Sequence, residues 1–220
     1  MNGSVIQLLV LAGVALFLIL RLRNVLGTRE GFEKPQLPRE AEPARAPRRD
    51  FEVIEGGPDT DITDHVAEGS PAADALARMK GAEPSFNVGE FLSGAKGAYE
   101  MILMAFERGD LRAVRDFLAP DVLAAFEQVV DARADQGLQV EANFLGVREV
   151  ALADAAFDRA TGIGEATVRF EGELTSVVRN ADGEIVEGDP NAVRRQRDVW
   201  TFARKMGADD PNWQLIATGG

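Results

Sequence analysis

The segment DVWTFARKMGADDPNWQLIAT, from Asp198 to Thr218, contains both tryptophans of the chain and decides how the sequence is interpreted. Apolar and polar residues alternate up to Lys205 and again after Asn212, a pattern typical of two β-strands with one buried face each. Asp210 and Pro211 fit the first two positions of a tight turn, where proline fixes φ. The segment therefore predicts a β-hairpin.

Antiparallel pairing around a turn near Ala208 and Asp209 places the side chains of this hairpin in pairs on one face. The predicted pairs are Arg204 with Trp213, Phe202 with Leu215, and Trp200 with Ala217. Arg204 over the Trp213 ring adds a cation–π contact of roughly 0.5–1 kcal/mol if the pair is exposed. Val199 and Ala203 make the opposite face apolar as well. The hairpin is therefore expected to be covered on both sides, as core and as the wall of a pocket.

Three helices are predicted upstream of this hairpin, followed by further strands. Asn87 and Glu90 have the spacing of a helix N-cap, Phe86 and Phe91 that of a hydrophobic staple, and apolar residues then recur every three or four positions to Phe106. Asp110 can cap a short second helix, and Pro120 suits the first turn of a third. That third helix is expected to bury five apolar side chains and to stop near Gly137: Val122, Leu123, Phe126, Val129 and Val130.

The hydrophobic period then changes from 3.6 to 2 residues, which predicts strands from Val140, along Ala166 to Val178, from about Val193 to Lys205, and from Asn212 to Thr218. Gly172 interrupts the second of these strands and is expected to mark a bulge or bend. Thr161 to Gly164 reads as a hairpin connection. The predicted fold class is α+β, with three helices on one face of a curved antiparallel sheet.

The residues before this domain suggest a membrane anchor and a linker. Val5 to Leu20 contains no charge, and the segment from Asn2 to Leu22 has about twenty residues, enough to cross a ~30 Å hydrocarbon layer. Arg21 and Arg23 follow it, so we expect residues 1–27 to be an uncleaved anchor with its N-terminus outside and the rest in the cytoplasm. Residues 28–85 are rich in proline and mixed charge and are predicted to be a disordered linker. A short helix over residues 71–80 is expected to have no particular role.

Composition limits the chemistry that the chain can perform. It has 220 residues, a formal net charge of −12, no cysteine and a single histidine, His65. The negative charge argues against a nucleic-acid partner, because nothing supplies a basic groove for phosphates. Thiol chemistry is excluded, and a metal role for His65 or a cofactor is not expected. Asp209 and Asp210 are better explained by the turn than as a catalytic pair.

The hairpin sequence RQRDVWTFARKMGADDPNWQLIAT resembles the family of the mitochondrial import inner membrane translocase subunit forty-four and its bacterial relatives. RGDLRAVRDFLAPDVLAAFEQVV and LRLRNVLGTREGFEKP are similar to the same family, so the resemblance covers residues 1–35 and 86–218. It implies that residues 86–220 form a cone of the nuclear-transport-factor-two-like type. It also implies a short member of the bacterial inner membrane, with an anchor and this domain.

The resemblance further implies a non-enzymatic adaptor that assists protein translocation, insertion or membrane-protein biogenesis. Its implied partners are membrane lipid and a protein such as a translocon, a chaperone or a ribosome. Mitochondrial members also have a long charged N-terminal region that binds a chaperone. We expect this chain to lack it, so the resemblance implies only the anchored binding domain. The alternative is a small-ligand or lipid-binding pocket on the same fold, and a lyase or isomerase built on aspartate and Tyr99 is more remote. The candidate binding residues are Phe91, Tyr99, Trp200, Phe202, Arg204 and Trp213.

Overall fold

The computed structural model describes residues 59–219, in which a short N-terminal helix is followed by three longer helices and a five-stranded antiparallel sheet. The helices are α1 (Thr60–Thr63), α2 (Pro71–Ala82), α3 (Val88–Arg108) and α4 (Pro120–Asp135), with a 3-10 turn at Arg115–Phe117. The strands are β1 (Gln139–Asp158), β2 (Ile163–Arg179), β3 (Ile185–Gly188), β4 (Arg194–Lys205) and β5 (Gln214–Gly219). The predicted α+β class is confirmed.

The ends of the helices follow local sequence rules. The Asn87 side chain accepts a hydrogen bond from the Glu90 backbone N–H at 2.7 Å, and Phe86 packs 6.3 Å from Phe91, as the predicted cap and staple require. Gly109 ends α3 in the left-handed conformation, at a φ of 71°. Ser70 caps α2, and a proline occupies the first turn of both α2 and α4.

The sheet is a meander in the order β1-β2-β4-β5, and β3 pairs with β2 beyond the end of β4. β1 is longer than the sequence predicted, because it runs 20 residues to the hairpin connection at residues 159–162. β1 holds one extra residue relative to β2 at three places. Two of these places lie on either side of Val147, the residue of β1 that pairs with Gly172. Each such bulge bends a strand locally. The irregularity expected at Gly172 therefore lies in the facing strand.

One face of the sheet packs against the helices and forms the core. α2 and α3 both contact β1, and α4 contacts β5. Tyr99, Phe170, Phe202, Leu76 and Met79 are among the largest side chains that are almost completely buried. Burial of this apolar surface is the main source of stability in such a fold. Val129, expected in the core, is instead 42% exposed, because α4 buries a narrower stripe than the sequence indicated.

The predicted linker was wrong over residues 59–85. This segment is folded, since α2 lies within it and buries Leu76 and Met79 completely against the domain. His65, predicted to lie in an unfolded segment, follows α1 in a hydrogen-bonded turn. Most of the prolines and charges of the predicted linker lie before residue 59 in the sequence. The folded unit therefore begins well before Phe86.

The predicted anchor at Val5 to Leu20 and the linker as far as residue 58 lie outside the described residues. Within residues 59–219, no helix combines the length and the apolar character needed to cross a membrane. The second predicted helix is reduced to the 3-10 turn, and Leu111, Val114 and Leu118 around this turn are buried.

Candidate functional site

The aromatic candidate residues form one continuous cluster between α3 and the sheet. The Tyr99 ring stacks on Phe170 with centroids 4.4 Å apart and lies 4.8 Å from Trp200. Phe91 lies 6.2 Å from Phe202 and 4.6 Å from Trp213. The structure thus brings together residues that are about a hundred positions apart in sequence. Their ring separations fall within the range in which aromatic pairs are favourable.

Most of these rings are core residues with little contact to solvent. The exposed fractions are 7% for Phe91, 0% for Tyr99, 4% for Trp200 and 2% for Phe202. Trp213 differs, because it is only partly buried and packs at the margin of the cluster. Of the aromatic candidates, it is therefore the one whose ring a partner can reach without unfolding the domain.

The pairing of the hairpin agrees with the sequence in part. Phe202 pairs with Leu215, and the Arg204 guanidinium lies 5.3 Å from the Trp213 ring centroid, as predicted. Trp200, however, pairs with Thr218 instead of Ala217, because Ile216 is an extra residue in β5 that shifts the register by one position. The face that carries Val199 is also not covered by the described residues, since Val199 is 39% exposed. The hairpin is core on one side only.

Arg204 is held by an acidic residue that the sequence did not identify. Its guanidinium lies 2.6 Å from the Glu83 carboxylate, which also accepts a hydrogen bond from the Gly207 backbone N–H at 2.8 Å. Burial opposes the ionisation of Glu83, but the bonds from Arg204 and Gly207 prevail and lower its pKa. The Arg204 Nε–H is buried without a hydrogen-bond partner among residues 59–219. The pair fixes the guanidinium beside Trp213.

Tyr99 makes the most buried polar contact of the cluster. Its hydroxyl donates a 2.6 Å hydrogen bond to the Asp198 carboxylate, to which Gln196 also donates at 3.3 Å. Burial, and then the hydrogen bond and charge of Asp198, raise the pKa of Tyr99. The phenol therefore keeps its proton near neutral pH and acts as a fixed donor. The alternation of a β-strand places residues 196, 198 and 200 on one face, but no sequence spacing relates Tyr99 to Asp198.

A second polar contact holds α1 and α2 on the domain. The Asp61 carboxylate accepts hydrogen bonds from the backbone N–H groups of Val88 and Gly89 at 2.9 and 3.1 Å, and it lies 2.7 Å from Lys80. It thus compensates the positive end of the α3 dipole. Despite the opposing effect of burial, Lys80 and the two backbone donors lower the pKa of Asp61.

Comparison with known proteins supports one family for this domain. The family model described as the Tim44-like domain matches residues 72–220. The human mitochondrial import inner membrane translocase subunit TIM44 is 26% identical over 161 residues, and its mouse counterpart is 23% identical over the same length. Each match covers 71% of this chain and 35% of the relative, so the chain spans about a third of the length of these translocase subunits.

A solved structure, the intermembrane space region of the chloroplast protein ARC6, is 12% identical with a TM-score of 0.38, and covers 60% of this chain and 92% of that one. A likeness at that level supports no conclusion about fold or function. The family model matches more than half of the sequence and begins inside the segment predicted to be a linker, in agreement with the packing of α2. The chain belongs to the Tim44-like domain family.

Proposed function

We propose that the chain is a membrane-anchored adaptor without catalytic activity, which binds a protein partner and assists protein translocation, insertion or membrane-protein biogenesis at a bacterial inner membrane. The observation that carries the proposal is the order of the segments along the chain. A charge-free segment, Val5 to Leu20, precedes a domain of the same family as translocase subunits. The positive residues behind that segment favour a cytoplasmic domain.

The partner surface that we propose is the margin of the aromatic cluster around Trp213. Phe86 lies 5.9 Å from this ring on one side, and Arg204 is fixed beside it on another. A partly exposed tryptophan held by rigid neighbours is typical of the residues that dominate binding energy in protein interfaces. Arg204 is restrained by Glu83, so little side-chain entropy is lost when a partner binds there.

The close packing of the buried rings favours an adaptor function over a small-ligand or lipid pocket at this site. Tyr99, Phe170 and Trp200 fill the space between α3 and the sheet by contact with one another. Tyr99 also binds Asp198 as a protonated donor, which satisfies the carboxylate structurally. These contacts favour a structural role for both groups over acid–base catalysis.

Site-specific crosslinking in native membranes tests the partner surface. A photoreactive amino acid at Ser85, which is exposed next to Phe86, should give adducts with components of the protein translocation or insertion machinery. The matched control is the same amino acid at Val199, on the opposite face of the hairpin. Adducts from Val199 alone, or from neither position, would contradict the proposed surface.

The absence of cysteine from the chain makes its topology directly measurable. A cysteine placed at Asn2 should react with a membrane-impermeant thiol reagent in intact spheroplasts. One placed at Ser85 should react only after the inner membrane is permeabilised. Labelling of Ser85→Cys in intact spheroplasts would place the domain on the outside and overturn the proposed orientation.

A further inference from the structure

A second potential site lies at the other end of α3, away from Trp213. A cavity of about 280 Å³ opens where the C-terminal ends of α3 and α4 meet strands β1 to β4. Its polar lining comprises Glu107 from α3, Arg133 from α4, Ser176 from β2, Glu187 from β3, and Arg194 and Gln196 from β4. The volume is just under the ~300–1,000 Å³ range of ligand sites, so the cavity suits a small molecule.

The charged groups of this cavity are not paired with one another. Among residues 59–219, neither Arg133 nor Arg194 forms an ion pair, and Glu107 lies within 4 Å of no cationic nitrogen. Arg133 instead donates to the Phe106 carbonyl at 3.4 Å and lies over the Phe106 ring. The outer face of the same sheet behaves differently. There, Arg195 and Arg197, which belong to the same strand as Arg194, are paired with Glu173 and Glu171. Arginines on that face meet carboxylates, whereas those facing the cavity do not.

Two groups shielded from water give the cavity a polar lining. Ser176 is 8% exposed and is the one buried polar residue among residues 59–219, and it lines the cavity. Glu107 is half-buried, and this burial raises its pKa although the charges of Arg133 and Arg194 oppose the shift. A polar ligand in the cavity would give both groups a hydrogen-bond partner, and such bonds are strongest when one of the two groups is charged.

The mixture of charges selects the class of ligand. A purely anionic molecule between the two guanidinium groups would face Glu107 and Glu187, and a purely cationic one would face Arg133 and Arg194. An apolar molecule would shield charged groups of the lining from water without giving them a partner. We propose that this cavity binds a small zwitterion, with its anionic group held by the two arginines and its ammonium group by the two glutamates.

In this arrangement Ser176 and Gln196 contact the uncharged atoms of the ligand. Two sources offer the same pair of charges: a free amino acid, with an ammonium and a carboxylate, and the ethanolamine phosphate headgroup of a membrane lipid. The small volume favours the free amino acid. The site goes beyond the adaptor role, which does not depend on it, because Trp213 and the cavity lie at opposite ends of α3.

Thermal melting of the full chain in non-ionic detergent tests the proposal, with both tryptophans of the folded domain as the fluorescence signal. The probes are the individual amino acids at millimolar concentration, with ethanolamine as the cation-only and acetate as the anion-only control. At least one amino acid should raise the melting temperature, and neither control should. An equal effect of ethanolamine or acetate, or no effect of any amino acid or lipid, would overturn the zwitterion site.

A second set of melting experiments distinguishes a lipid headgroup from a free amino acid as the ligand. Mixed micelles that contain phosphatidylethanolamine are compared with micelles that contain phosphatidylglycerol, which lacks the ammonium group. Stabilisation by phosphatidylethanolamine alone assigns the same chemistry to a headgroup, whereas equal stabilisation by both lipids contradicts the need for a zwitterion.

Variants locate any binding that is found. Arg194→Gln should weaken the affinity measured by titration calorimetry about tenfold or more, since hydrogen bonds to charged groups are lost. Arg195→Gln is the matched control, because this neighbour points to the outer face and pairs with Glu173. Ser176→Ala, which removes only a hydroxyl, should also weaken binding. It provides the second test in case Arg194→Gln perturbs the fold. Unchanged affinity in both cavity variants would overturn the assignment.

Discussion

The carboxylate of Glu83 lies 2.6 Å from the guanidinium of Arg204, although the two residues are 121 positions apart in the sequence. The exposed fractions of the two side chains are 18% and 8%. This pair connects the end of α2 to the strand that carries the aromatic cluster. It therefore joins the N-terminal helices and the candidate binding surface into one folded unit.

Glu83→Gln should destabilise the domain by about 1–3 kcal/mol at neutral pH, since a charged hydrogen bond to Arg204 is weakened. The folded pKa of Glu83 lies below its ordinary value of 4.5. The contribution of the carboxylate is therefore complete above that value and is lost as pH falls through the folded pKa. The difference between wild type and variant, measured by urea unfolding, should shrink as pH falls from 7 towards about 3. The exposed Glu100→Gln is the control, and a difference that grows on acidification would contradict this account.

Leu76→Ala should cost about 2–5 kcal/mol, because Leu76 is fully buried and α2 packs on β1. Urea unfolding of residues 59–220 measures the loss. A fragment that begins at Phe86 lacks this helix and should melt at a much lower temperature. If the shorter fragment is as stable as the longer one, α2 contributes nothing to stability and the linker boundary predicted from the sequence is correct.

Gly172→Ala should destabilise the domain by about 1–3 kcal/mol, since a β-carbon there would lie 3.1 Å from the Tyr99 hydroxyl and 3.3 Å from the Phe144 ring. Gly94 in α3 is the matched control, because an added β-carbon there meets no atom within 4 Å. Gly94→Ala should therefore stabilise the helix by roughly 0.5–1 kcal/mol. Chemical denaturation of both variants measures the two opposite signs, and equal effects would show that the contact with Tyr99 is unimportant.

Tyr99→Phe should cost about 1–3 kcal/mol, since it leaves the Asp198 carboxylate without its 2.6 Å donor while preserving the stacked ring. Tyr99→Leu, which also removes the ring, should cost more. Denaturation midpoints of the two variants separate the hydroxyl from the ring. If Tyr99→Phe is as stable as wild type, the hydrogen bond does not contribute to folding.

Local signals in the sequence were sufficient for the central elements. The cap at Asn87, the staple of Phe86 and Phe91, and the pairing of Phe202 with Leu215 depend on residues that are close in sequence or related by a simple period. The offset of Trp200 could not be predicted in this way. A bulge at Ile216 leaves the alternation of neighbouring residues nearly unchanged while it shifts the pairing.

The remaining differences have tertiary causes. α2 contributes only two large buried side chains, Leu76 and Met79, so the composition around it resembles that of a linker. The stability of α2 comes from its packing on β1, which the local sequence does not reveal. The cavity gathers Glu107, Arg133 and Arg194 from three separate elements, and no sequence spacing relates them. Glu83 likewise meets Arg204 only after α2 has docked.

The central claim is that Trp213 binds a partner while Trp200 holds the fold together, and one paired measurement tests it most directly. Trp200→Ala and Trp213→Ala are compared by thermal melting and by the crosslinks formed from Ser85 in native membranes. Trp200 is 4% exposed within the cluster, so its loss should cost about 3–5 kcal/mol and lower the melting temperature strongly. Trp213→Ala should retain a cooperative transition close to that of wild type and lose the crosslinks to the translocation or insertion machinery. If Trp213→Ala melts as low as Trp200→Ala, or keeps those crosslinks, Trp213 is not the binding residue and the proposed surface is wrong.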